Sequence, residues 1–224
     1  MILEGKKVAF LGDSITEGVG VSDRENNRYD NILKKNCGFS ETYNYGISGT
    51  RLAHQSVPSA RPRHDLCFCG RAYDVTDKAD IVIVYGGIND YIHGDAPFGE
   101  IGDRTPATFC GGVWFLMNLL RERFGKKPIV FLTPARCCFG DSVYTAPSKN
   151  QNKRADAKPV LDYVNVIQKT AVEHGVHVLD LYHELPIDPL IAEEREKYTV
   201  DGLHFNDAGH HVLAGLIEKL LREI

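Results

Sequence analysis

Along the chain, short apolar runs alternate with longer stretches of helical period. Lys7–Leu11 is a brief apolar run closed by Gly12, the pattern of a strand buried on both faces. Asp80–Tyr85 is the clearest strand, because its Ile-Val-Ile-Val core is β-branched and Gly86-Gly87 ends it. Thr42–Tyr45 is a weaker strand, and Pro128–Thr133 and Val176–Leu181 complete a set of five. Helical stretches fall between them, at about Arg28–Lys35, Pro106–Phe124, Ala157–His174 and Asp207–Glu223. The last carries Val212, Leu213, Leu216, Ile217, Leu220 and Leu221 as one apolar stripe. Trp114, among Phe115, Leu116, Leu119 and Leu120, is expected in the core. Strands alternating with helices predict an α/β domain spanning residues 1–224, with a parallel sheet between two helical layers and right-handed crossovers.

Composition narrows the class. A chain of 224 residues buries roughly 70–75% of its unfolded surface and needs no staple. Hydrophobic residues at 43% and charged residues at 25% exclude a disordered or fibrous chain. A net charge of −4 supplies no electrostatic footprint for nucleic acid or an anionic membrane. No apolar run approaches the ~20 residues of a membrane helix. The segment Met1–Leu11 is too short and too charged for a signal peptide, so a cytoplasmic protein is expected. Six cysteines fit that expectation as reduced thiols.

In such folds ligands sit beyond the carboxyl ends of the strands, so the residues after each strand are where chemistry is sought. The first strand is followed by Gly12-Asp13-Ser14-Ile15-Thr16-Glu17-Gly18. A serine in a strand-to-helix turn can be a nucleophile whose oxyanion meets N–H groups at a helix start; equally, Asp13 or Ser14 can simply cap the helix. The segment is neither the G-x-S-x-G elbow nor a P-loop. The second strand leads into Asn44-Tyr45-Gly46-Ile47-Ser48-Gly49-Thr50, where a glycine can offer its N–H to a ligand or merely close a turn. The third leads into Gly86-Gly87-Ile88-Asn89-Asp90, where the Asn89 amide can polarise a carbonyl or form an Asx-turn. Asp201-Gly202-Leu203-His204 precedes the final helix. Across that tight turn Asp201 can bond His204 Nδ1 and fix its tautomer, or both can be turn residues with Asp207 as helix cap.

Taken in order, these four blocks resemble the SGNH hydrolase family, the GDSL esterases and lipases. The resemblance rests on Gly12-Asp13-Ser14-Ile15, Asn44 through Gly49, Gly87-Ile88-Asn89-Asp90 and Asp201-Gly202-Leu203-His204, which together span most of the chain. Ile15 stands where the family usually has leucine. The resemblance implies a three-layer α/β/α fold with five parallel strands and flavodoxin-like winding. It implies Ser14 as nucleophile, His204 as general base and Asp201 as its orienting acid. The oxyanion donors would be the Ser14 and Gly49 N–H groups and the Asn89 side chain, with Gly46 the second glycine of its block. The implied reaction is ester hydrolysis through an acyl-serine, without metal or organic cofactor.

Three long connections, Arg51–Asp77, Tyr91–Thr105 and Ala135–Ala155, are expected to rim the site. They carry Arg51, His54, Arg61, Arg63, His64, Arg71, Arg104, Arg136, Lys149, Lys153 and Arg154, which predicts a basic mouth; Arg71 and Arg136 are the substrate-binding candidates. The loops lack the apolar richness of a long-chain lipase groove. Short acyl esters, acetyl esters of carbohydrates among them, are the expected substrates. Residues Asn89–Pro97 also resemble a subgroup of bacterial acylhydrolase-like proteins. The alternatives are an acylhydrolase for longer chains and, in a different class, a non-catalytic binding module holding phosphate or flavin at Gly12–Gly18. His64, Cys67 and Cys69, perhaps with His54, have spacing too short for a usual zinc site, and no metal is expected.

Overall fold

A computed structural model describes residues 1–149 and 155–224. Seven strands are present among the described residues: β1 (Lys7–Gly12), β2 (Glu41–Gly46), β3 (Ile81–Tyr85), β4 (Ile129–Leu132), β5 (Cys138–Phe139), β6 (Ser142–Val143) and β7 (His177–Leu179). Five of them form one parallel sheet in the order β2-β1-β3-β4-β7, and β5 and β6 make a small antiparallel hairpin. Leaving the hairpin aside, this is the flavodoxin-like winding, whose switch point lies between β1 and β3. All five predicted strands are in the sheet, and β2 runs to Gly46, in register with Gly12 at the end of β1.

The alternation of side chains in the strands builds two cores. Val8 and Phe10 of β1, Ile81 and Ile83 of β3, and Val130 and Leu132 of β4 face one side. Helices α3 (Tyr29–Cys37) and α10 (Asp207–Glu223) cover it with Ile32, Leu33, Leu213, Ile217 and Leu221. The intervening Ala9, Leu11, Val82, Val84, Ile129 and Phe131 face α6 (Phe109–Phe124) and α7 (Val160–His174). The remaining helices are short: α1 (Ser14–Glu17), α2 (Arg24–Asn27), α4 (Phe68–Arg71), α5 (Ile88–His93), α8 (Leu181–Glu184) and α9 (Ala192–Tyr198).

Several expectations are corrected here. Helix α6 begins at Phe109 because Thr108 caps it, its hydroxyl accepting from Gly111 N at 3.0 Å. Helix α7 begins only after Pro159. Asn206, not Asp207, caps α10, and Asp207 instead accepts from Ser22 N at 2.9 Å. Trp114 is not a core residue. It is half-buried on the outer side of α6, with the Arg104 guanidinium 4.9 Å above its ring and His174 at its edge. Leu116 and Leu120 of the same helix are fully buried, as expected. Among the described residues no helix is long and apolar enough to cross a membrane.

Candidate active site

The loop after β1 turns directly into α1, and Asp13 sets that turn. Its carboxylate is buried and accepts from Ile15 N at 3.1 Å, so the capping role belongs to Asp13. Burial pushes Asp13 up to about 6, against the pull of the Ile15 N–H and the nearby His204 and Arg71. Ser14, the first helical residue, is thereby left with its hydroxyl free for another partner. That partner comes from the far end of the chain: Ser14 Oγ lies 2.9 Å from His204 Nε2.

Asp201 does two jobs in one turn. One carboxylate oxygen accepts the backbone N–H groups of Leu203 and His204 at 3.0 and 2.8 Å, which is the turn-forming role. The other lies 2.6 Å from His204 Nδ1. Burial alone would raise the Asp201 carboxyl, but the hydrogen bonds from His204 hold it below the usual carboxylate value. It therefore stays charged and keeps the Nδ1 proton in place, leaving Nε2 free to accept from Ser14. The hairpin braces this turn from outside. Cys138 N donates to Gly202 O at 2.9 Å, and the Phe139 ring meets His204 edge-on.

The glycine block resolves into distinct tasks. Asn44 is a fastener: Nδ2 donates to Thr16 O at 2.8 Å and to Asp30 at 3.0 Å, and Oδ1 accepts from Gly46 N at 2.9 Å. Gly46 lies against α1, where a Cβ would come within 2.2 Å of the Glu17 backbone nitrogen, so it serves packing and not the cavity. Gly49 does face the cavity. Its φ of +75° is in the left-handed region, and a Cβ there would collide with the His64 ring at 2.7 Å. Ser48 lines the same cavity, but both its N–H and its hydroxyl donate to Glu17.

Asn89 sits at the start of α5, just past β3. Its Nδ2 donates to Thr50 O at 3.1 Å and approaches Asp13 at only 3.4 Å, and its Oδ1 lies 2.9 Å from His93 Nε2. Asp90 instead clamps the loop from Gly49 onward by accepting from Leu52 N and Ala53 N at 2.9 and 3.0 Å. Burial lifts Asp90 to about 7, although those two N–H groups oppose the shift.

Ser14, Gly49, Asn89 and His204 share a cavity of about 370 Å3, with Val19, Ser48, Arg61, His64, Ile92, His93, Phe139 and Leu203 completing its described lining. Each of the three long connections contributes to it: Arg61 and His64 from the first, Ile92 and His93 from the second, Phe139 from the third. Ile92 and His93, part of the Asn89–Pro97 segment, and Phe139 were not expected as site residues from the sequence. The helical continuation of α5 through Asn89 and His93, four residues apart, was the signal available for His93. A larger groove of about 520 Å3 beside Gly99–Gly102 and α7 has no serine or histidine in its described lining.

The two arginines expected to bind substrate do not line the cavity. Arg71 is buried, and its guanidinium is used up on Leu66 O, Tyr45 O, Gly12 O and Thr50 Oγ1, at 2.6–3.0 Å. It is a strut tying together the loops after β1 and β2. Arg136 pairs with Asp188 at 3.2 Å and donates to Leu185 O at 2.8 Å. Among the described residues the basic mouth is correspondingly smaller than expected. Arg63 pairs with Glu17, Arg104 lies over Trp114, and Lys153 and Arg154 fall outside the described residues. Cys69, of the candidate zinc cluster, is buried with its thiol against Leu52 O and Gly112 O, whereas His64 faces the cavity. Among the described residues no three His, Cys, Asp or Glu side chains gather as a metal site.

With this geometry in hand, comparison with known proteins places the class. The chain belongs to the GDSL-like lipase/acylhydrolase family, whose pattern matches residues 10–212. The family is one of acylhydrolases and esterases. Among solved structures, a protein from Lactobacillus plantarum is 28% identical, with 98% of each chain covered and a TM-score of 0.82. The lipase/acylhydrolase from Enterococcus faecalis is 21% identical over 97% of this chain and 96% of its own, with a TM-score of 0.61. The acetyl xylan esterase AlAXEase is 22% identical over 96% and 99%, also with a TM-score of 0.61. Comparison with curated proteins finds no match.

Proposed function

We propose that the protein is a serine esterase of short-chain acyl esters, acetyl esters among them, acting through an acyl-Ser14 intermediate. The observation that carries this reading is the unbroken hydrogen-bond chain from Ser14 Oγ through His204 to Asp201, at 2.9 and 2.6 Å. The hydroxyl oxygen attacks the acyl carbonyl while its proton passes to His204 Nε2, and Asp201 stabilises the imidazolium so formed. The Ser14 and Gly49 N–H groups and the Asn89 amide receive the oxyanion. The Asn89 proton that makes only the 3.4 Å approach to Asp13 is the one assigned to it. Collapse of the tetrahedral adduct expels the alcohol with the proton from His204. Water then repeats the sequence on the acyl-serine, so atoms and protons balance without metal or organic cofactor. A non-catalytic binding module would give His204 no work, and the 2.9 Å contact speaks against it.

Two features support short acyl groups on polar alcohols. The cavity, near the lower end of the usual range for small-molecule sites, is bounded by Ile92, Phe139 and Leu203 and has no long apolar extension among its described residues. Its described lining holds Arg61 and three histidines but no carboxylate. A small ester, with a saccharide as a fitting alcohol, meets both conditions. Neither nucleic acid nor membrane enters this reading, and the six free cysteines support work in the reducing cytoplasm, as one domain. The test is a panel of p-nitrophenyl esters of rising chain length, together with acetylated xylan and other acetylated saccharides, with Ser14→Ala as control. Acetyl to butyryl esters are expected to lead. Rising kcat/KM beyond octanoyl would instead make the protein a long-chain acylhydrolase.

A further inference from the structure

His93 is joined to the site by more than proximity. It stands one helical turn after Asn89 on α5, and its Nε2 is 2.9 Å from Asn89 Oδ1. Its Nδ1 is 3.4 Å from Arg51 Nη1. A guanidinium can only donate, so Nδ1 is the accepting nitrogen in that contact and the ring proton sits on Nε2. Nε2–H therefore donates to Asn89 Oδ1. An amide whose oxygen is held this way has only one orientation, with Nδ2 turned toward Thr50 O and Asp13. Donation to the carbonyl oxygen also draws electron density from the amide nitrogen and sharpens its N–H groups as donors.

The far end of the chain is equally fixed. Arg51 is 4% exposed, and the same Nη1 that meets His93 donates to Gly49 O at 3.1 Å. Its Nη2 lies 3.5 Å from Asp65. One buried guanidinium thus touches both Gly49 and the imidazole behind Asn89, two of the three places from which the proposed oxyanion donors come.

The geometry points to His93 as a positioning residue for the oxyanion hole: with Arg51 behind it, it fixes the orientation of the Asn89 amide and strengthens it as a donor. This rests on the reading of Asn89 as an oxyanion donor. His93 takes no proton from substrate in this scheme and forms no bond to it. Its effect passes through Asn89 alone.

The test is a double-mutant cycle on p-nitrophenyl acetate, with wild type, His93→Leu, Asn89→Ala and the double variant, plus His93→Gln. Each is first checked for an intact thermal transition. Removing an oxyanion donor costs roughly 100- to 1,000-fold in kcat, so His93→Leu should cost somewhat less, about 10- to 100-fold, with KM changed by no more than about threefold. His93→Gln keeps an N–H donor at that position and should recover most of the loss. In the Asn89→Ala background, His93→Leu should cost less than about twofold, because the residue it acts through is gone. Additive losses, or a glutamine no better than leucine, would overturn the inference while leaving Asn89 as a donor. An Asn89→Ala enzyme with wild-type kcat would remove the oxyanion reading itself, and the role of His93 with it.

Discussion

Arg71 shows how a charged side chain can matter to a site without touching its substrate. Its guanidinium bonds the carbonyls of Gly12, Tyr45 and Leu66 and the Thr50 hydroxyl, with only 7% of the residue exposed. Burial draws its pKa down to about 10, against the pull of Asp13, which leaves it charged at neutral pH. Arg71→Met removes every one of these donors while keeping much of the volume, and strands buried acceptors. The expected outcome is a loss of roughly 3 kcal/mol or more in unfolding free energy, read by urea titration. A substrate-binding arginine would instead raise KM with stability unchanged. Arg61 offers the contrast, because it is exposed and lines the cavity. Arg61→Ala should leave stability within about 0.5 kcal/mol of wild type and raise KM for an acetyl ester bearing a carboxylate, with little change for a neutral one.

The elements that hold the Asp201–His204 turn are shorter than those that build the sheet. The β5–β6 hairpin is two residues on each side, yet Cys138 N bonds Gly202 O and the Cys138 carbonyl fills the space a Gly202 side chain would need. Gly202 has φ +83°, and a Cβ there would lie 2.0 Å from Cys138 O. Gly202→Ala must therefore push the turn and the hairpin apart and shift Asp201 and His204. A displacement near 1 Å costs about 100-fold in rate, and a loss of that order in kcat is expected. Gly140, in the hairpin turn, also has a positive φ, +54°, but nothing lies within 4 Å of its would-be side chain. Gly140→Ala carries the backbone strain without the collision, and its kcat should stay within about threefold of wild type. Equal losses in the two variants would show that strain, not displacement, sets the rate.

These same elements mark where sequence reasoning reached its limit. Strands β1, β3 and β4 were legible because burial on both faces leaves continuous apolar runs, and α10 because one polar face gives a clean helical stripe. That Ser14, Gly49, Asn89 and His204 meet at one cavity, with Asp201 against His204, was legible because each lies in a turn just after a strand or just before the last helix. The hairpin was not, since two-residue strands have no period to detect. Short helices such as α5 were hidden for the same reason, whereas the start of α1 was betrayed by its capping turn. Arg71 and Arg136 were misjudged because composition reports charge but not its partner, and both are engaged by carbonyls and carboxylates brought from far along the chain. Trp114 was misjudged because an apolar stretch on α6 is wider than the face it buries, and Trp114 lies at that face's border.

At the scale of the molecule, three of the buried titratable groups among the described residues pull stability against pH in opposite directions. Burial pushes His210 down to about 4, against the pull of Asp30 and Asp207. An unfolded histidine titrates near 6.5, so between those values the unfolded chain holds a proton that the folded one does not. His210 therefore contributes fully above pH 6.5, and its contribution is lost as pH falls toward 4, by about 3 kcal/mol in all. Asp13 and Asp90, raised by burial to about 6 and about 7, act the other way: the folded state protonates first, so acid favours it over the same range. The wild-type profile adds these opposed contributions to those of carboxylates held low by hydrogen bonds, Asp201 and Asp207 among them, so it does not display the histidine by itself. Subtraction isolates the histidine. The stability advantage of wild type over His210→Gln, measured by urea titration, should be greatest at pH 7 and shrink by about 3 kcal/mol at pH 4. A difference independent of pH would mean that His210 does not titrate on unfolding.

Ser14, and no other serine, is the residue proposed to form the covalent intermediate. A fluorophosphonate reacts only with a serine whose hydroxyl is activated, and the adduct can be placed by peptide mass spectrometry. Wild-type protein should gain a single phosphonyl group on the peptide carrying Ser14, and Ser14→Ala should gain none. His204→Ala, which removes the proton acceptor 2.9 Å from the hydroxyl, should be labelled at least about 100-fold more slowly. Labelling at Ser48, or undiminished labelling of Ser14→Ala, would contradict the account.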